Sequence, residues 1–278
     1  MDKPDPKRDH KPASEPFSGS AGKQPSQPRR TPPGIVMKDH RRQLENVGRR
    51  LFFRQGLSLG ALTMLTGCNL QDDTAVDRAL WAMSRWNDRV QAFLFDPHRL
   101  APTFRLDDIT DPFPFNAFYA EDSVPDIDLS DYRLTVSGRV DNKAAWRLED
   151  LRRLPQAAQI TQHICIEGWS AIGQWSGVPL GLFLQRIGAD LTANYVGFKC
   201  ADRYYSSIDM PSALHPQTIL ALDFRNDPLP LKYGSPVKLR IPTKLGFKNP
   251  KHIVEIFVTN DYPGGYWEDQ GYNWFSGL

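Results

Sequence analysis

Thr161-Gln162-His163-Ile164-Cys165-Ile166-Glu167-Gly168-Trp169-Ser170 is the stretch on which the reading of this chain turns. Ile160, Gln162 and Ile164 alternate with the period of a strand, and that strand delivers a single thiol, Cys165, at its C-terminal end. Gly168 then turns the chain back beneath Trp169. Strand ends and the loops after them are where rigid scaffolds present functional groups. Cys165 admits three readings: an inert buried thiol, a nucleophile paired with His163, His215 or His252, or a ligand to a thiophilic metal. One cysteine cannot build a zinc site without three more ligands. In the third reading they come from histidines or from the sulfurs of a bound cofactor.

Outward from this stretch, strands dominate. Tyr132, Leu134 and Val136 alternate up to Gly138, and Tyr195–Lys199, Thr218–Phe224, Val237–Ile241 and Ile253–Thr259 read as further strands. Helices are few. One starts at Thr74 with Asp77 in a capping box, and its Val76, Leu80, Met83, Val90 and Leu94 are expected to pack on the body. Leu148–Leu154 is a short helix, and Pro179 opens another that Gly188 closes. Residues 96–130, rich in Pro, Asp and Phe, read as irregular. The pattern predicts one mixed α+β, strand-rich domain over 69–278.

The front end differs in kind. Residues 1–56 hold thirteen Lys/Arg against six Asp/Glu, and the remaining chain holds 21 against 26, so a basic leader precedes an acidic body. Residues 1–47 are proline-rich and lack large apolar residues, the composition of a disordered leader. Within 48–68, Arg49-Arg50 precedes an apolar run, Gly56 to Gly67, that resembles a twin-arginine export signal. The run is too short to span a bilayer. Leu65-Thr66-Gly67-Cys68 resembles a lipobox, which would leave Cys68 lipidated. The expected location is therefore the periplasm or cell envelope. No basic helix carries base-reading residues, so nucleic acid is excluded as a partner.

A second signal lies in Pro236-Val237-Lys238-Leu239-Arg240-Ile241-Pro242-Thr243-Lys244-Leu245-Gly246-Phe247-Lys248-Asn249-Pro250-Lys251-His252, which has five Lys/Arg and no acid. Lys238 and Arg240 are two apart and share a strand face. The block reads equally as an anion cradle or as a solvated strand edge guarded by lysines. The tail, 261–275, has six aromatics; it folds back on the core or offers a surface to an electron donor.

These signals resemble the molybdopterin-binding domain of the sulfite oxidase family, in its periplasmic methionine-sulfoxide-reductase branch. The resemblance runs from about Asp111 to Thr259, through Phe115-Asn116-Ala117-Phe118-Tyr119, Cys165–Ser170, His215-Pro216-Gln217-Thr218 and Gly234–His252. It implies that Cys165 is the protein ligand to molybdenum, with the pterin dithiolene supplying further sulfurs. It implies cofactor contacts at Asn116, Tyr119, Cys200, Lys238, Asn249, Pro250 and Lys251. The chain departs from the branch at Ala120, Cys200, Tyr233 and Lys238, where the reductase has Glu, Thr, Asn and Arg. Sulfite oxidases carry a C-terminal dimerisation domain. This chain stops at Leu278, too early for one, so a monomer is expected.

The implied activity is oxygen-atom or electron transfer at molybdenum-molybdopterin, with an S-oxide favoured as substrate. The basic residues that help bind sulfite are replaced after Cys165 by Glu167, Trp169 and Ser170. Electrons would pass through a membrane haem protein or a cytochrome. His163, Glu167, Trp169, Arg203 and Tyr204 are further candidates for the pocket by position alone. The alternatives are a cysteine hydrolase using Cys165 with His215 or His163, and a non-catalytic envelope lipoprotein.

Overall fold

The stretch around Cys165 folds as a hairpin that anchors one of two sheets. The computed structural model describes residues 73–278; the expectations for the leader, the export signal and Cys68 lie outside the described residues. Strands β1 (Thr135–Gly138), β2 (Ala157–Ile164), β3 (Ser170–Pro179), β4 (Tyr195–Cys200), β5 (Tyr205–Asp209), β6 (Ile219–Phe224), β7 (Asp227–Pro228), β8 (Lys238–Arg240) and β9 (Ile253–Thr259) are joined by short helices. Those helices are α1 (Asp73–Leu94), α2 (Leu148–Arg152), α3 (Leu180–Arg186) and α4 (Met210–Ala213), and only α1 is long. One sheet runs β1-β9-β4-β5; the other runs β2-β3-β6-β7, with β8 beside β7 on the same edge of β6. The β1–β9 pairing is parallel and the remaining pairings are antiparallel. This mixed, strand-rich α+β body agrees with the sequence expectation.

The second sheet is buried on both faces, and this positions the site. On β6, Leu220 and Leu222 face a main core shared with β4 and β9, including Val196, Phe198, Ile256 and Val258. Ile219 and Ala221 face the other way, toward Phe113, Trp175 and Tyr233. Cross-strand partners share a face, so Lys238, opposite Ala221, and Arg240, opposite Ile219, point to that second side. Thr161 and His163 lie opposite Gly173 and Ala171, which places them there too. The apolar alternation of Ile160 and Ile164 correctly gives a strand, yet the polar set Thr161, His163 and Cys165 occupies the buried face.

Several expectations need adjustment. The strands β3 and β5 and the helix α4 were not foreseen; in β3 the glycines at 173 and 177 mask the alternation. Gly177 sits at a bulge where a Cβ would lie 1.9 Å from Leu220 O. The apolar residues of α1 do not pack on the body: Leu80, Met83 and Leu94 are exposed and Val90 is half-buried. The helix instead docks by polar groups. Asp88 accepts from Asn273 Nδ2 (2.7 Å) and Phe275 N (2.9 Å). The aromatic tail folds back on the core, with Trp274 and Phe275 buried and Trp274 Nε1 donating to Ser207 Oγ (2.8 Å). No helix among the described residues is long and apolar enough to cross a membrane.

Candidate cofactor site

Cys165 stands at the tip of the β2–β3 hairpin. Its backbone N–H donates to Trp169 O (2.9 Å), and Gly168 N returns to Cys165 O (3.2 Å) with Gly168 at φ +94°. A positive φ favours glycine because it has no Cβ to clash. The thiol is 8% exposed and opens on a cleft of about 630 Å³ of atom-free space, part of it continuous with solvent. Of the sequence candidates, Asn116, Tyr119, Cys165, Asn249, Pro250 and Lys251 line this cleft, as do Glu167 and Tyr204. Phe118, Ile166, Phe247 and Trp267 give it an apolar wall, and Asp202 adds a second carboxylate.

Glu167 Oε2 accepts from Trp169 Nε1 (2.9 Å) and lies 3.7 Å from Cys165 Sγ. Tyr119 OH donates to Asp202 (3.1 Å), and burial, then Asp202, hold that phenol protonated far above its ordinary range. Tyr204 OH donates to Phe247 O (2.7 Å), tying the cleft wall to the glycine-containing turn at Gly246–Lys248.

Behind the thiol lies the decisive feature. All five cations of the 238–252 block are buried: Lys238 is 1% exposed, Arg240 0%, Lys244 1%, Lys248 0% and Lys251 7%. A solvated edge guarded by lysines is therefore excluded. The outer edge of β8 is covered as well, since Leu239 N donates to Pro250 O (2.9 Å). Lys244 pairs with Asp209 (3.3 Å) and Lys248 with Glu268. Among the described residues, no carboxylate lies within ion-pair distance of Lys238, Arg240 or Lys251.

Arg240 spends its guanidinium on neutral acceptors: Thr161 Oγ1 (2.9 Å), Gln162 O (2.6 Å) and Asn249 Oδ1 (3.1 Å). It thereby straps the Cys165 strand to the 246–251 turn. Lys251 Nζ donates to Asn116 O (2.5 Å) and Lys232 O (2.9 Å), bringing the upstream motif to the same place. Lys238 Nζ sits 5.0 Å from the centroid of Trp175, whose own buried Nε1 has no hydrogen-bond partner.

The electrostatics record what this arrangement lacks. Burial, then Lys251 and Arg240, push the Lys238 ammonium well below its usual range. Burial lowers Lys251 to about 8 and Arg240 to about 9. His163, held by Asn116 Nδ2 (3.3 Å), is kept neutral by burial and then by these three cations. Uncompensated buried charge is costly unless paired, so this face is built to receive an anion.

The remaining candidates fall elsewhere. Cys200 is buried at the end of β4, against the main core and outside the cleft lining; both it and Cys165 are free thiols, so the disulfide option between them is not realised. Arg203 is exposed and also lies outside the lining. The hydrolase alternative is not supported, because no histidine reaches Cys165. His163 faces Asn116 and Arg240, His215 Nε2 contacts Arg99 O (3.1 Å) and His252 Nδ1 donates to Ser235 O (2.6 Å). Sequence reasoning did not single out Asp202 or Trp267, and gave Arg240 and Phe247 no individual roles. Asp202 and Trp267 enter the site only through the folding of β5 and the tail.

The fit to a metal chelate can be judged from these groups. Among the described residues no three His, Cys, Asp or Glu side chains converge, so a metal at Cys165 would take its other ligands from a bound molecule. A chelate bearing thiolates and a phosphate would also answer the unpaired cations. The residues fit such a group.

Comparison with known proteins points the same way. Residues 121–267 match the family described as oxidoreductase molybdopterin binding domain. The chain is 59% identical over 242 residues to YedZ1 of Azospira oryzae, provisionally named a protein-methionine-sulfoxide reductase subunit, covering 87% of this chain and 92% of that one. It is 33% identical over 198 residues to the protein-methionine-sulfoxide reductase catalytic subunit MsrP of Xanthomonas campestris pv. campestris, covering 63% of this chain and 62% of that one. Among solved structures, the sulfane dehydrogenase SoxCD of Paracoccus pantotrophus is similar, at a TM-score of 0.47 and 20% identity over 50% of this chain and 40% of that one.

Proposed function

Because this chain belongs to the oxidoreductase molybdopterin-binding domain family and is a molybdenum-molybdopterin oxidoreductase, we propose that Cys165 is its protein ligand to the metal and that it reduces an S-oxide in the bacterial envelope. The observation that carries the site is the convergence of one buried thiol and three buried cations lacking carboxylates on a single cleft. Lys238 and Lys251 would hold the anionic part of the cofactor, with Asn116, Tyr119, Asn249 and Pro250 shaping its seat. Arg240 acts behind them, fixing the spacing between the thiol strand and the 246–251 turn. When bound, the cofactor supplies the two-electron redox chemistry.

The residues of the chain do the rest. The apolar wall of Phe118, Ile166, Phe247 and Trp267 suits a thioether, whose sulfur makes favourable contacts with aromatic rings. Glu167 and Asp202 lie on the same cleft and repel an oxyanion such as sulfite. Reduction of a sulfoxide to a sulfide takes two electrons and two protons and releases water. The electrons would come from an external donor, a membrane haem protein or cytochrome. The relatives named as methionine-sulfoxide reductase subunits support a methionine-sulfoxide-type substrate. The Arg49-Arg50 signal supports export by the twin-arginine route, and Leu65–Cys68 supports a lipid anchor.

Elemental analysis of the exported protein tests the site: about one molybdenum per chain is expected, and loss of the metal in Cys165→Ser. A Cys165→Ser chain that keeps its full metal content would refute the ligand assignment. Reoxidation of the reduced protein by methionine sulfoxide, but not by sulfate, tests the substrate.

A further inference from the structure

Helix α1 is docked the wrong way round for a globular protein. Arg85, Asp88 and Gln91, spaced three apart and so on one side of the helix, hold it to the body. Arg85 lies 3.8 Å over the Tyr262 ring, Asp88 is buried against Asn273 and the Phe275 amide, and Gln91 Oε1 accepts from Gly277 N (3.3 Å). The opposite side carries Met83, Trp86, Val90, Phe93 and Leu94 at helical spacing. Met83 and Trp86 are each 67% exposed, Phe93 88% and Leu94 73%. Because the polar contacts fix the rotation of the helix, this apolar stripe is held outward.

We propose that this stripe is a lipid-contact surface that lays α1 in the headgroup region of the membrane. The inference rests on the export and anchoring reading of residues 48–68. What selects a bilayer as occupant is the chain immediately upstream. The apolar run Gly56–Gly67 and Cys68 end five residues before Asp73, so α1 begins where an anchored chain would leave the membrane. The run itself is a poor cover. Folded back as a helix, its 12 residues reach about 18 Å along α1, short of Phe93 and Leu94. An extended segment lying alone on a helix would leave its backbone polar groups unpaired. Amphipathic helices with Trp, Phe and Leu on one side bind interfaces in this manner, buried to roughly the depth of one side chain.

The test uses the full chain on phosphatidylethanolamine–phosphatidylglycerol vesicles, with and without brominated acyl chains, and follows tryptophan quenching. Quenching is expected in the wild type and should fall by at least half in Trp86→Phe, which removes the outward indole. Trp86→Ser/Phe93→Ser, altering only exposed positions, should weaken vesicle association about ten-fold or more while leaving turnover in solution unchanged. Mass spectrometry of Cys68 and flotation of Cys68→Ser separate this idea from the anchor. Floating, lipidated protein in which Trp86 escapes the bromine overturns the helix proposal and leaves the export reading intact. Quenching that persists in Cys68→Ser supports the helix proposal without an anchor. Absence of quenching together with a dimer in sedimentation gives the stripe to a second copy of the chain and overturns the proposal.

Discussion

Lys238→Met should have opposite effects on the empty and the loaded protein. Without cofactor, Lys238 is a 1%-exposed amine with no carboxylate in reach and with Lys251 and Arg240 disfavouring its charge. Methionine has similar length and no charge to desolvate. Replacing uncompensated buried ionic groups by apolar ones of similar volume ranges from neutral to a gain of a few kcal/mol, so an increase of about 1–2 kcal/mol is expected. For a body of this size each kcal/mol moves Tm by roughly 2–4 °C, which places the empty variant about 2–8 °C above wild type. With cofactor bound the sign reverses. The lost contact is a charge-assisted hydrogen bond, roughly 1.5–3 kcal/mol, so cofactor should dissociate about ten- to hundred-fold more readily. Thermal unfolding of cofactor-free protein, beside molybdenum retained after dialysis of loaded protein, reads both arms. Lys238→Arg, which keeps the charge, should retain the metal. Equal destabilisation of both forms by Lys238→Met would show that the lysine is a structural group and would remove the main support for the anion site.

Three further outcomes follow from the same geometry. Lys251 is lowered from 10.5 to about 8 by burial; the unfolded chain then holds a proton that the folded chain has lost between those values. Stability of the cofactor-free protein should therefore rise with pH across this window, by at most about 3 kcal/mol from this group. Urea titrations at several pH values should show a shallower rise in Lys251→Met. Glu268→Gln strands the fully buried Lys248 without its partner and should cost about 3–5 kcal/mol, visible as a lower denaturation midpoint; an unchanged midpoint would mean that the pair contributes nothing. Gly138→Ala places a Cβ 2.1 Å from Val258 O at a φ of +78°. It should cost more than about 2 kcal/mol, read as a lower Tm with the β1–β9 pairing loosened.

Much of the fold was legible because its strands are short apolar alternations with clear ends. Ile253–Thr259 was read with the bounds the structure shows, and Ser170–Pro179 was missed because Gly173 and Gly177 interrupt its pattern. Both glycines have a packing reason: a Cβ at 173 would strike Trp175 and Phe113, and one at 177 would strike the β6 backbone. Helix α1 was found but its orientation was not. Periodicity locates an apolar stripe without saying which stripe the tertiary contacts of Asp88 will turn inward. Cys165 could be placed at a strand end, yet its family resemblance, not its spacing, separated a metal ligand from an inert thiol.

The lysine block shows why a charge run cannot be interpreted from its own residues. Five cations in one segment look uniform, and the acids that divide them arrive from Asp209 and from Glu268, on other parts of the chain. Lys244 and Lys248 are neutralised within the fold and fasten the tail and β5 to the block; Lys244 also donates to Phe275 O (2.8 Å). Lys238, Arg240 and Lys251 receive no such partner, and they are the three that surround His163 behind Cys165. If charge burial served only cohesion, the same pairing would be expected for all five. The division instead assigns two cations to holding the body together and leaves three to be balanced by what the cleft binds. Cofactor binding and folding stability are then linked in this protein: the ligand that completes the site also removes an electrostatic cost that the empty fold carries.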